Sequence, residues 1–143
     1  MAVIGELSDK QSYVRFFQQR IVRMITHWRD HDAMQQLEVT VLDREREGIL
    51  KAITLGLEFG PAWPLVRSLI TSFTPYMERR GHWETWQRVL LSAIGVAQRL
   101  ADPATETTLT GLLARLSQRM GHTEDVIYYY RQTIRLARQS GNR

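Results

Sequence analysis

The chain has 143 residues and no cysteine. That absence removes disulfides, thiolate nucleophiles and cysteine-ligated zinc or iron–sulfur sites together. Lysine is nearly missing as well: Lys10 and Lys51 are the only ones, so arginine carries almost all of the positive charge. No apolar run approaches the roughly 18 residues needed to cross a bilayer. The opening residues 1–6 have no basic segment leading into an apolar one, so neither a membrane span nor a signal peptide is expected, and the expected location is the cytoplasm. The alternating pattern of a half-buried strand is absent, and so is the Gly-x-x-x-x-Gly-Lys-Ser/Thr phosphate loop of nucleotide hydrolases.

What is present is helical. A hydrophobic content of 43% is enough for a continuous core in one domain spanning 1–143. Ser8-Asp9-Lys10-Gln11 has the form of a capping box, and Tyr13, Phe17, Ile21, Met24 and Trp28 follow at helical steps, which predicts a first helix to about Arg29. A second is predicted from Asp32, with Met34, Leu37, Val41, Ile49, Ile53 and Leu57 on one side, until Gly60-Pro61 stops it; Gly48 should weaken it midway. Leu65, Leu69, Ile70, Phe73 and Met77 mark a third, ending at Gly81, in which Pro75 should produce a kink or set the later half apart. Three more are predicted from Trp83 to Leu100, from Ala104 to Met120 and from Thr123 or Glu124 to Gln139.

About six helices joined by very short turns imply antiparallel neighbours. Internal repetition favours a stack of hairpins over a single bundle. Gly81-His82-Trp83-Glu84 recurs forty residues later as Gly121-His122-Thr123-Glu124, and the same offset pairs Ile94 with Ile134 and Ala97 with Ala137. The expected units are a hairpin over 8–60 and repeats over 61–102 and 103–143.

The segment Leu112-Leu113-Ala114, Met120-Gly121-His122, Val126, Tyr130 and Ala137 to Asn142 resembles a tetratricopeptide (TPR) unit. In that comparison Gly121 takes the interhelical turn and Tyr130 is the large packing residue of the second helix. Ser117 departs from it, standing where an aromatic is usual, and Val126 replaces the commoner alanine. Residues 45–53 and 76–83 are similar to the helical stretch that opens the TPR sensor region of bacterial signal-transduction ATPases with numerous domains, with Gly48 where that pattern usually has asparagine. The resemblance implies a right-handed stack of antiparallel helical hairpins, an all-α solenoid, that binds a protein or peptide and has no catalytic role. It leaves open whether the chain belongs to a larger regulator or is an adaptor by itself.

A TPR stack binds in a concave groove lined by the first helix of each hairpin. Carried onto this sequence, the groove positions are Thr108, Arg115, Gln118 and Arg119 from one unit and Thr71, Glu78 and Arg79 from the other. Arg115 and Arg119 also share a helix face by spacing alone, and two guanidinium forks suit a carboxylate-rich partner; solvated side chains are the plainer explanation. The last helix is apolar on two sides, with Val126, Tyr130, Ile134 and Ala137 on one and Tyr129 and Leu136 on the other. Tyr129 and Leu136 are expected to be covered by a further repeat or by a second copy in a homodimer.

His27-Trp28-Arg29-Asp30-His31 has the order of one metallopeptidase motif with aspartate for glutamate, but two histidines lack a third ligand and sit at a predicted helix end. No metal, cofactor or catalytic residue is expected. His82 and His122 occupy equivalent turns, which points to a structural role. Trp86 should pack in the core with Leu90 and Ala93, while Trp28, Trp63 and Trp83 could serve packing or recognition. The alternative function is a nucleic-acid-binding repeat using arginines on phosphates; the lack of lysine clusters and of an aromatic stacking platform speaks against it.

Overall fold

The computed structural model describes residues 39–141, together with Arg15 and Gln19. Apart from Arg15 and Gln19, which are helical, the first predicted helix falls outside the described residues, as do the His27/His31 pair, Trp28 and the predicted start of the second helix at Asp32. Among those described there are five α-helices and no strand: α1 (Val39–Leu57), α2 (Trp63–Arg79), α3 (Trp83–Arg99), α4 (Pro103–Arg119) and α5 (Thr123–Gly141), with a 3-10 turn at Gly60–Ala62. No helix among them is long and apolar enough to cross a membrane. The chain divides between Ser72 and Phe73 into two compact units. That division falls inside α2.

In the first unit α1 passes through Gly48 unbroken, burying Leu42, Ile49, Ala52 and Ile53. The 3-10 turn places Pro61 where no amide donor is needed, and buries Ala62. Helix α2 then begins, with Trp63, Val66, Leu69 and Ile70 buried. Pro75 does not end α2, which continues to Arg79. It does remove the amide that would bond the Thr71 carbonyl, one residue from the place where the two units divide.

From α2 onward the helices begin twenty residues apart, at Trp63, Trp83, Pro103 and Thr123. The first three of these are 17 residues long. The turns after α2, α3 and α4 share one hydrogen-bond pattern. His82 N–H donates to Met77 C=O at 3.0 Å, Asp102 N–H to Ala97 C=O at 2.9 Å and His122 N–H to Ser117 C=O at 3.0 Å. In each turn the middle residue has a positive φ: 76° at Gly81, 53° at Ala101 and 78° at Gly121. This is the left-handed helix terminator, which satisfies the last carbonyls while reversing the chain. Charges follow the same step: Glu84, Glu106, Glu124 and Asp125 lie in first turns, and Arg79, Arg99 and Arg119 in last turns, each matching the helix dipole. Asp102 also caps α4 by accepting the Thr105 amide at 3.2 Å.

The core of the second unit is built on Trp86, fully buried with Leu90 and Ala93, as the helical spacing predicts. Its ring meets Phe73 edge-on at 5.8 Å, and its Nε1 donates to Thr74 Oγ1 at 3.1 Å. Helix α4 packs against α3 and α5 against α4, burying Leu109, Leu113, Ala114 and Leu116. Ser117 is also fully buried, where the TPR pattern would put an aromatic, and its hydroxyl finds no partner.

Ala101 is the one turn residue paying a side-chain penalty for positive φ. Ala101→Gly should raise unfolding free energy by about 0.5–1 kcal/mol. A Cβ at Gly81 or Gly121 would meet nothing within 4 Å, so alanine at either should cost about 1 kcal/mol through the backbone alone. Urea unfolding of the three variants measures both effects.

Candidate functional site

Glu78 lies in the last turn of α2 and is 5% exposed. Arg115 and Arg119, one turn apart on α4, converge on it. Arg115 donates from Nε and Nη2 to Glu78 Oε1 at 3.1 and 2.9 Å, and Arg119 Nε stands 3.5 Å from Oε2. A carboxylate taken out of water is tolerable only when paired in this way. The helix pattern on α4 placed the two guanidinium forks together correctly. The carboxylate between them, however, belongs to the chain itself, so the forks do not stand open to a foreign one.

The other expected groove residues do not join this cluster. Thr71 belongs to the first unit, and its hydroxyl bonds the Arg67 carbonyl at 3.0 Å. Arg79 Nε donates back to the Pro75 carbonyl at 3.3 Å, and the Thr108 hydroxyl to the Ala104 carbonyl at 3.2 Å. Gln118 is exposed, and its carbonyl accepts the Gly121 amide at 3.1 Å. These are bonds within a helix or to its own terminal turn.

On α5 the two apolar sides are exchanged relative to expectation. Leu136 is 8% exposed and Tyr129 half-buried, whereas Tyr130 is 43% and Ile134 53% exposed. The reason is the register that the turn at Gly121 imposes on α5. Thr133 then faces α4, its Cγ2 being 3.9 Å from where a Cβ would stand on Gly111. Tyr129 and Leu136 share that side with Thr133 by helix spacing. Leu136 is thus buried and Tyr129 half-buried within the chain, and the side carrying Tyr130 faces outward. Burial, followed by the charge of Asp125 and then Tyr128, raises the Tyr129 phenol above its usual value near 10.0.

The outward face carries Ile127, Tyr130 and Ile134 together with exposed Arg131, Arg135 and Arg138. Arg131, Ile134, Arg135, Arg138 and Gln139 line a shallow depression of about 410 Å³. Sequence reasoning missed this face because it assigned Tyr130 and Ile134 to the core. The signal that could have exposed the error is the interleaving of three arginines with those same apolar positions, a combination rare in a core.

A second depression, of about 440 Å³, brings the two equivalent turns together through Gly81, His82, Trp83, Glu84, Thr85, Met120 and His122. Two of its polar side chains have local partners. Trp83 Nε1 donates to the Glu78 carbonyl at 2.9 Å, and His122 Nδ1 lies 3.6 Å from Asp125 Oδ2. Among the described residues no three His, Asp or Glu side chains gather as a metal site. No family of known proteins, no curated protein and no solved structure matches the chain.

Two outcomes test these assignments. Replacing Arg115 and Arg119 together by Met strands a buried carboxylate and should cost about 2–3 kcal/mol, against about 1 kcal/mol for Glu78→Gln, whose amide oxygen can still accept; urea unfolding ranks them. A raised Tyr129 pKa means that folding favours the protonated phenol, so its contribution is complete below the unfolded pKa and is lost as pH rises through the folded one. Thermal unfolding of Tyr129→Phe and the parent should therefore respond to pH alike up to about 9 and diverge above about 10, with the parent losing more.

Proposed function

We propose that this chain is a TPR-like interaction module, a scaffold or sensor that binds another protein and carries out no chemistry, and that α5 presents the binding face. The observation that carries this is a comparison of equivalent positions in α3 and α5, forty residues apart. Leu90 and Ala97 in α3 are fully buried, while their counterparts Tyr130 and Ala137 in α5 are exposed. Positions that α3 keeps covered are thus open on α5, and an exposed cluster of large apolar side chains marks an interaction site.

The regular helix step and the three matching turns support a hairpin stack of the right-handed TPR kind. The resemblance of residues 45–53 and 76–83 to a regulator's sensor region supports a role in a cytoplasmic bacterial regulator. The Arg115–Glu78–Arg119 cluster is in this reading a brace between α2 and α4, and it leaves one net positive charge half-exposed beside the face of α4.

Capture of partners from a lysate of the source organism, with and without nuclease, tests the reading. Ile127→Asp with Ile134→Asp should lower recovery of bound proteins about tenfold, as expected for central anchors, with the circular dichroism of the fold unchanged. Recovery that is unaffected by the double variant would remove α5 as the site. Recovery only through nucleic acid would replace protein binding with the arginine-to-phosphate alternative.

A further inference from the structure

We infer that the outward face of α5 seats an acidic amphipathic helix of another protein, with an apolar side chain of that helix set against Ile134 and its carboxylates on Arg131, Arg135 and Arg138. This rests on the assignment of that face as the binding surface.

Charge supplies the first argument. Arg131, Arg135 and Arg138 are exposed, and no carboxylate among the described residues stands within ion-pairing distance of them. Elsewhere in the second unit a pair of converging arginines is answered by Glu78. On α5 the acidic side chains, Glu124 and Asp125, sit in the first turn, while the arginines occupy the later turns. Three unanswered guanidinium groups around one isoleucine form a site lacking its anion. Arginine's planar fork selects carboxylate or phosphate, and its stem adds apolar contact.

Shape supplies the second. Ile127, Arg131, Ile134 and Arg138 recur at steps of four, three and four, with Tyr130 three after Ile127 and four before Ile134, so they form one strip along α5 roughly 16 Å long at 1.5 Å per residue. A strip of that form is met by another helix through anchors at the same spacing. Of the counterpart positions in α3, Leu90 is fully buried and Gln87 and Ile94 partly so, while Leu91 and Gln98 are exposed, so helix-on-helix contact in this register is seen at the centre of the strip.

The same features favour this occupant over others. A second copy packed antiparallel would bring Glu124 toward Arg138 but set Arg131 against Arg131 at the two-fold and leave Arg135 without an acid. An anionic lipid surface suits a helix whose cations and apolar groups lie on different sides, whereas here they alternate along one strip. Nucleic acid would use the arginines and leave Ile127 and Ile134 unmatched.

Three fluorescein-labelled helical peptides of about 14 residues, four turns in length, share one leucine stripe and carry flanking Glu, Gln or Lys. Their binding to the full chain is followed by anisotropy, beside phosphatidylserine vesicles and a single-stranded oligonucleotide. The Glu peptide should bind on the order of tenfold more tightly than the Gln peptide, with the difference shrinking as salt rises. Arg135→Glu with Arg138→Glu should transfer the preference to the Lys peptide while leaving the circular dichroism unchanged. Equal binding of the Glu and Gln peptides would overturn the acidic occupant while leaving α5 as a docking face. Binding of vesicles or oligonucleotide with no peptide binding would overturn both. Sedimentation as a dimer that Ile134→Asp dissociates would overturn the proposal in favour of a second copy.

Discussion

The left-handed residue in the middle of each interhelical turn is the constraint on which the rest of the second unit depends. Gly81, Ala101 and Gly121 let the chain reverse within three residues while the last carbonyls of each helix keep their donors. A turn that short leaves the next helix no freedom of register. Once Gly121 and His122 are placed, the side of α5 that meets α4 is decided, and with it which apolar stripe is buried. Two of the three positions use glycine, for which the conformation is nearly free of cost. Ala101 holds the same geometry against a steric penalty, which indicates that packing on both flanking helices enforces it.

The Glu78 cluster and the α5 face show the same residue type serving opposite ends. Arg115 and Arg119 flank a carboxylate that burial would otherwise make costly, so half of their combined positive charge is balanced inside the molecule. Arg131, Arg135 and Arg138 have no such counterpart, and their field is directed outward. Arginine in place of lysine matters in both settings. A fork can hold two bonds to one oxygen, as Arg115 does to Glu78 Oε1, and it is hydrated weakly enough to lie beside isoleucine.

Sequence alone determined the helical class, the helix limits from Trp63 onward to within a residue or two, the burial of Trp86 with Leu90 and Ala93, and the convergence of Arg115 with Arg119. These follow from local periodicity, from Gly and Pro at helix ends and from spacing along one helix, all of which act over a few residues. Tertiary structure decided the rest. That Glu78 fills the arginine pair depends on how α2 meets α4, a contact between residues 37 apart in sequence. That Leu136 is inside and Ile134 outside could not be read from α5, because its two apolar stripes satisfy the helical period equally well. Only the turn that sets its rotation against α4 distinguishes them, and so only the folded chain shows which stripe stays exposed.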